Sequence, residues 1–374
     1  MRLLFLYMVL VLVVFLKINS NASYFLTPDS HYYHQAAQNM LDGKGYTIYF
    51  ENKNTFCAIW PVGYSSLIAL VSFCSQLSVE TSSKLVNLIA IGLIFCVLYH
   101  KYKEKSWIIA MGFCASSFIQ IYTNTWSETV FMMCLVGFCL TSIPNRESTI
   151  LKINQTHNLS LFLWASVAFL IRYIGFFLII PLIYTKKYKS AVGLFGLMVL
   201  YCAINYSQTQ TFSGGHGFWP NQPFSERFLT GFYGIIEEIL FFGIRDWDLK
   251  FMPNSIPIKA IIYGLSAIQA LILGVIIYII FSFKKRNHYS SFGEWGAVPF
   301  TYLATVFGIY LIDSSIESLY FRRLAPFSLL MVLSFLNWLV QPSQENLLLK
   351  IQNWLVAFFT ISILHSIPKE TIFG

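Results

Sequence analysis

Apolar and polar positions alternate along this chain on a long wavelength. Runs of apolar residues occupy 3–16, 83–99, 106–123, 128–143, 159–171, 173–185, 190–206, 259–283, 294–312, 322–340 and 351–366, with short polar breaks between them. Most approach the roughly 20 residues that a helix needs to cross a hydrocarbon core. The pair on either side of Arg172 is shorter, and merging it into one span would move the Lys186 cluster to the other side of the membrane. Kept separate, the runs predict an all-α polytopic membrane protein with about eleven crossings, the N-terminus inside and the C-terminus outside. Residues 3–16 also have the form of a signal peptide followed by the small polar stretch Asn21-Ala22-Ser23. The apolar character of the remainder favours a retained first span.

Two stretches between the first runs carry a different pattern. Residues 27–46 begin with Thr27, Pro28 and Asp29 and close on Gly43, the signals that open and stop a helix. Within it Tyr33, Ala36, Ala37, Met40 and Leu41 share a face, with His34, Gln35, Gln38 and Asn39 toward the other. A helix of this kind suits the membrane surface. Residues 62–77 form a second apolar helix whose placement fixes the topology. If it crossed the membrane, the clusters around Lys101–Lys105, Arg146–Lys152, Lys186–Lys189 and Lys284–Arg286 would all lie outside. The excess of Lys and Arg on cytoplasmic loops therefore makes it interfacial. Segments 19–82 and 207–258 become the large outer loops of a single domain, 1–374.

Composition agrees with the pattern. The chain is 56% hydrophobic and 11% charged, against roughly a quarter charged for soluble domains. Its net charge of +8 falls in short clusters between apolar runs, which orientation in a membrane explains without nucleic acid. The seven cysteines show no CxxC or Cys/His spacing, so neither a zinc site nor a disulfide framework is supported.

Several polar groups gather toward the outer face in this topology. Asp29 stands in the first outer loop, and Glu128 follows Ser127 at the outer end of a span. Asp29 and Glu128 can each be read as a carboxylate at the positive end of a helix. Arg322 and Arg323 can anchor to lipid phosphates. Arg172 lies between apolar runs, where a guanidinium is expensive without a partner or a function. Asp313 and Glu317 stand near the arginine pair. In the outer loop 207–258, Ser213-Gly-Gly-His216-Gly-Phe-Trp-Pro220 reads as mobile backbone with aromatic grips. Carboxylates and arginines near one membrane face suit transfer of a group from a lipid phosphate.

The segment Asp29-Ser-His-Tyr-Tyr33-His-Gln-Ala36, followed by Leu41, Gly43 and Tyr46, resembles the first-loop motif of polytopic glycosyltransferases of the GT-C superfamily. The similarity is to the bacterial aminoarabinose-transferase-like and protein mannosyltransferase-like groups. Pro61-Val-Gly63-Tyr64, Ser127-Glu128-Thr129, Arg172-Tyr173-Ile-Gly175 and Phe321-Arg322-Arg323-Leu-Ala-Pro326 follow in family order, with Ser65 and Arg323 where proline and tyrosine are usual. The resemblance implies inverting transfer of a sugar from a polyprenyl-phosphate carrier to a lipid, glycan or protein acceptor on the non-cytoplasmic face of a bacterial inner membrane. It implies catalytic roles for Asp29 and Glu128. Tyr33, Arg172, Tyr173, Arg322 and Arg323 become substrate-binding candidates, beside His216 from the outer loop. The two carboxylates could hold a divalent metal, although nothing in the sequence demands one. Two rival readings are a flippase for lipid-linked sugars and a catalytically silent assembly subunit. Charges gathered at one face, rather than along a central path, favour the enzyme.

Overall fold

The structure is a computed structural model and describes residues 1–21, 23, 25–50, 52–142, 153–213, 223–241, 256–284, 295, 297–313 and 319–368. Among the described residues the fold is all-α apart from one hairpin. Its helices are α1 (Arg2–Asn19), α2 (Pro28–Leu41), α3 (Gly63–Ser75), α4 (Val79–Tyr102), α5 (Ser106–Ala110), α6 (Ser116–Thr123), α7 (Glu128–Ser142) and α8 (Ile153–Ile171). Then follow α9 (Ile179–Tyr184), α10 (Tyr188–Thr209), α11 (Phe224–Phe241), α12 (Ile256–Lys284), α13 (Ala297–Ile312), α14 (Phe321–Leu339) and α15 (Glu345–Ser366). Among the described residues five segments are long and apolar enough to cross a membrane: Arg2–Asn19, Val79–Cys114, Tyr188–Thr209, Tyr263–Ser282 and Pro342–Ser366. Shorter apolar helices at Gly63–Ser75, Glu128–Ser142, Asn158–Ile171, Tyr173–Tyr184 and Ala297–Ile312 accompany them. The chain is a multi-pass membrane protein.

The core gathers around α7, in which every side chain from Glu128 to Leu140 is buried. Because α7 is enclosed on all sides, its sequence shows no polar face. Gly137 lies flat against Trp164 of α8, where a Cβ would stand 2.6 Å from the indole. No side chain larger than hydrogen allows that approach.

Several expected elements take a different form. The run 106–123 is not one helix: extended backbone at Ala115 (ψ 140°) separates a short 3₁₀ segment, Met111–Cys114, from α6. Residues 173–185 begin as a 3₁₀ turn, Tyr173–Leu178, before α9. Gly175 explains the turn, since a Cβ there would come within 2.6 Å of the Ala168 and Phe169 backbone. The chain folds back tightly on α8 at that point. Segments 19–82 and 207–258 also hold more structure than their polarity suggests. Strands β1 (Thr47–Phe50) and β2 (Lys53–Phe56) pair antiparallel, with Thr47 opposite Phe56. Loop 207–258 contains α11, which places Arg227 and Glu238 inward and leaves Phe224, Phe228, Leu229, Phe232 and Tyr233 exposed. Arg227 bonds the Tyr310 carbonyl, and Ser328 Oγ donates to Glu238 Oε1 (2.6 Å).

Helix α2 lies where expected, with Thr27 as its N-cap and the Thr27 N–H donating to Ser30 Oγ (3.0 Å). Its burial differs from a lipid-facing amphipathic helix: His34 and Asn39 are buried along with Tyr33, Ala36 and Ala37, while Leu41 is exposed. The helix is held by protein on both sides, with α3 and α4 beneath it and the β1–β2 hairpin beside it. Asn39 Nδ2 donates to the Thr47 carbonyl (2.8 Å), and His34 Nε2 shares a hydrogen bond with Ser83 Oγ (3.2 Å).

The two ends of the bundle differ in charge. At one end α2 meets the start of α7. At the other, Lys101 bonds the Leu140 carbonyl and Tyr102 donates to Asn337 Oδ1 (2.6 Å). Lys105 reaches the Val340 carbonyl (3.5 Å) and Glu345 (4.0 Å). Lysines there face the negative ends of α7 and α14, which favour cations.

Burial pushes the His34 imidazole from 6.5 down to about 4, with Glu80 opposing and Lys84 and His31 adding to the shift. Between those values the unfolded chain binds a proton that the folded chain does not, so stability is lost as pH falls through this window. Amide protection over residues 28–41, taken relative to the intrinsic exchange rate at each pH, should therefore be lower at pH ~4.5 than at pH ~7, with the difference flattened in His34→Gln. Equal pH dependence in the two proteins would refute this role.

Candidate active site

The site is built on the short segment between α6 and α7. Asn124 is extended (ψ 151°), so the chain leaves α6 abruptly and restarts at Glu128. The backbone carbonyls freed by this break are taken by side chains of neighbouring helices. Asn87 Nδ2 donates to Tyr122 O (3.1 Å) and Asn124 O (2.9 Å), and Lys84 Nζ donates to Thr123 O (2.8 Å). Ser30 Oγ donates to Thr125 O (3.2 Å), and Ser83 and Thr125 share a hydroxyl pair (2.7 Å). Trp126 Nε1 donates to Thr27 Oγ1 (2.9 Å), and Tyr33 shares a hydrogen bond with Ser127 Oγ (3.1 Å). Helix α2 is thereby stitched to the head of α7. That docking carries Asp29, in the first turn of α2, to the same place as Glu128.

Glu128 is almost wholly buried (1% exposed) and lies between two guanidiniums, those of Arg172 and Arg322. Arg172 reaches it because the backbone is extended there (φ −147°, ψ 131°) between the end of α8 and the following 3₁₀ turn. Arg322 stands in the first turn of α14 and serves both carboxylates, with Nη1 2.7 Å from Asp29 Oδ2 and Nε on Glu128 Oε1. Its guanidinium lies 4.5 Å from the Trp126 ring centroid, a cation–π contact. Asp29 is the more open carboxylate, 30% exposed. Burial and the nearby Glu128 push the Tyr33 phenol up, so it remains a neutral hydroxyl beside the pair.

This arrangement has a chemical capacity that its parts lack. A buried carboxylate is tolerable only when paired, and a buried guanidinium likewise. Glu128 Oε1 takes both arginines, and Glu128 Oε2 remains buried without a hydrogen-bond partner. The cluster, two guanidiniums balanced by two carboxylates, thus offers guanidinium N–H donors for an anionic group, an unspent buried acceptor, and an accessible carboxylate at the edge.

Of the sequence candidates, Asp29, Glu128, Tyr33, Arg172 and Arg322 converge. Tyr173 faces elsewhere: its hydroxyl donates to the Ala58 carbonyl (2.7 Å) and accepts from Asn205 Nδ2 (2.7 Å). Its contacts brace α8 and α10 against the chain before α3. Arg323 is half-buried, and its backbone carbonyl accepts from Tyr302 (2.8 Å). His216 and Glu317 lie outside the described residues. Sequence reasoning missed Trp126, although it adjoins Ser127 and Glu128. It also missed Ser30, whose role depends on a partner far along the chain. Among the described residues no three or more His, Cys, Asp or Glu side chains converge as metal ligands.

No protein-family description matches the chain, and no curated protein matches it. Two solved structures are similar in fold. One is the crystal structure of ArnT from Cupriavidus metallidurans bound to undecaprenyl phosphate, 11% identical, with a TM-score of 0.46, covering 97% of this chain and 77% of that one. The other is the same protein in the apo state, 12% identical, with a TM-score of 0.44 and coverage of 98% and 77%.

Glu128→Ala would leave two guanidiniums without their shared anion and should destabilise the protein by ~3 kcal/mol. Glu128→Gln, which keeps an acceptor, should cost less. Thermal unfolding in nanodiscs measures both, and an alanine variant as stable as wild type would contradict the central place of this ion cluster.

Proposed function

We propose that the protein is an inverting glycosyltransferase that moves a sugar from a polyprenyl-phosphate carrier to an acceptor on the non-cytoplasmic face. One observation carries the reading: Arg322 bridges Asp29 and Glu128 while Arg172 meets the same oxygen of Glu128, Oε1. Two arginines in a partly buried setting suit a phosphate, which each can grip through paired N–H groups. The open carboxylate beside them suits a base.

In the reaction, the acceptor hydroxyl oxygen attacks the anomeric carbon from the face opposite the phosphate. Its proton passes to the Asp29 carboxylate. The bond from the anomeric carbon to the phosphate oxygen breaks, and its electron pair leaves with the polyprenyl phosphate. Arg172 and Arg322 balance the charge that grows on the departing oxygen, and the carboxylates stabilise the oxocarbenium character of the sugar. The unpaired Oε2 of Glu128 supports this assignment, since a sugar hydroxyl would satisfy it. The whole chain acts as one unit, with the prenyl tail among the helices and the head group at the site. A bacterial inner membrane is the proposed location. The lysines at the far end of α4, α7 and α14 support an outward-facing site.

Purified protein given a radiolabelled polyprenyl-phosphate sugar should transfer or hydrolyse it, and Asp29→Asn should slow this by about 10²-fold or more. The variant should still bind undecaprenyl phosphate. Turnover indifferent to the substitution would remove Asp29 from its role. Separately, a reporter fused after Lys103 should read as cytoplasmic. An extracytoplasmic signal would put the site on the wrong side for this donor.

A further inference from the structure

We infer that Tyr32 and Trp60 form the sugar-binding wall of the acceptor subsite, holding a pyranose ring of the acceptor with its hydroxyl at Asp29. The inference rests on the proposed reaction and adds the chemical class of the second substrate. Tyr32 follows Asp29 by one turn of α2 and so lies on the same side of the helix. Its ring stands 5.3 Å from that of Trp60 at an interplanar angle of 31°. Phe50 of β1 extends the surface, 6.3 Å from Tyr32. On its inner side Trp60 packs 5.4 Å from Tyr33, whose hydroxyl bonds Ser127 next to Glu128. The aromatic surface therefore runs directly into the ion cluster.

Polar tips that are both unpaired and only half-buried separate these two residues from the tyrosines hydrogen-bonded around the site and from the fully buried Tyr122. Tyr33, Tyr46, Tyr64, Tyr173, Tyr201 and Tyr302 each place the hydroxyl in a hydrogen bond with protein. Among the described residues, neither the Tyr32 hydroxyl nor the Trp60 indole N–H has such a partner, and both side chains are half-buried. The wall is nonetheless fixed. Tyr46 donates to the Trp60 carbonyl (2.8 Å) and reaches the Pro61 carbonyl (3.1 Å), and Tyr46, Ile48, Cys57 and Ala36 form a small buried core behind it.

A pyranose matches this chemistry. Its C–H face is apolar and its rim is polar, so it suits flat rings that carry unspent donors at their edges. An interfacial aromatic belt is the other use of such rings. The surroundings argue against that use: His31, next to Tyr32, and Asn52, Lys53 and Asn54, at the hairpin turn after Phe50, are exposed, which places the wall beside a hydrated surface. The acceptor, rather than the donor, is assigned here by position. The arginine cluster meets α2 at Thr27 and Asp29, through Trp126 and Arg322, whereas Tyr32 lies a turn beyond the carboxylate.

The test uses the full chain in nanodiscs and saturation-transfer NMR. The probes are methyl glycosides of glucose, galactose, mannose and N-acetylglucosamine, free and on a lipid anchor, with glycerol as a ringless polyol. At least one glycoside should show saturation of its ring C–H protons where glycerol shows none. Binding in either form supports the assignment, and the tighter form gives the source of the acceptor. Tyr32→Ala and Trp60→Ala should weaken binding about tenfold, and Tyr32→Phe, which keeps the ring, should weaken it less. Undecaprenyl phosphate binding unchanged in these variants shows that the fold and the cation cluster persist. Glycosides that behave like glycerol, or that bind the alanine variants as well as wild type, overturn the inference. Loss of undecaprenyl phosphate binding in wild type, with glycoside binding intact, would instead fell the proposed reaction and leave the sugar wall standing.

Discussion

Glu128 and its two arginines decide the rest of the site. A carboxylate at this depth cannot stand unpaired, and Arg172 and Arg322 come from parts of the chain far from it and from each other. Their meeting ties the head of α7 to the break after α8 and to the first turn of α14. Asp29 joins through Arg322, so α2 is registered against the same anion. The cluster is a structural knot that joins four segments of the chain through two carboxylates and two guanidiniums.

The knot needs a firm support, and the segment between α6 and α7 provides it. A chain break inside a membrane protein exposes carbonyls that lipid cannot satisfy. Asn87, Lys84 and Ser30 take them up, each from a helix that packs there anyway. The cost of buried polar side chains in α4 is offset by the carbonyls they satisfy. This accounts for the buried Ser83, Lys84 and Asn87 near the start of α4, ahead of its long apolar stretch.

The apolar runs and the individual expensive residues were legible in the sequence. Arg172 stood out because a guanidinium between hydrophobic segments needs a partner, and Glu128 is that partner. The helix at 28–41 was marked by its capping residues. Pairwise geometry was not legible: nothing in the spacing says that Trp126 would bond Thr27 or that Arg322 would serve two carboxylates. Periodicity also misled where burial was two-sided. His34 and Asn39 read as a polar face of α2, yet protein on both sides buries them. In α11 Arg227 and Glu238 face inward while several aromatics, and Glu226, face outward. That segment averages to a loop in any reading that expects charge on the surface. The break at Ala115 left no mark, since both halves are equally apolar.

The bracing of the α6–α7 segment has a mechanical consequence. With its carbonyls anchored from several directions, this side of the site behaves as an anvil: it offers a set shape and yields little to whatever is pressed against it. A group docked there would have to conform to it, and size and contour would discriminate before any contact is optimised.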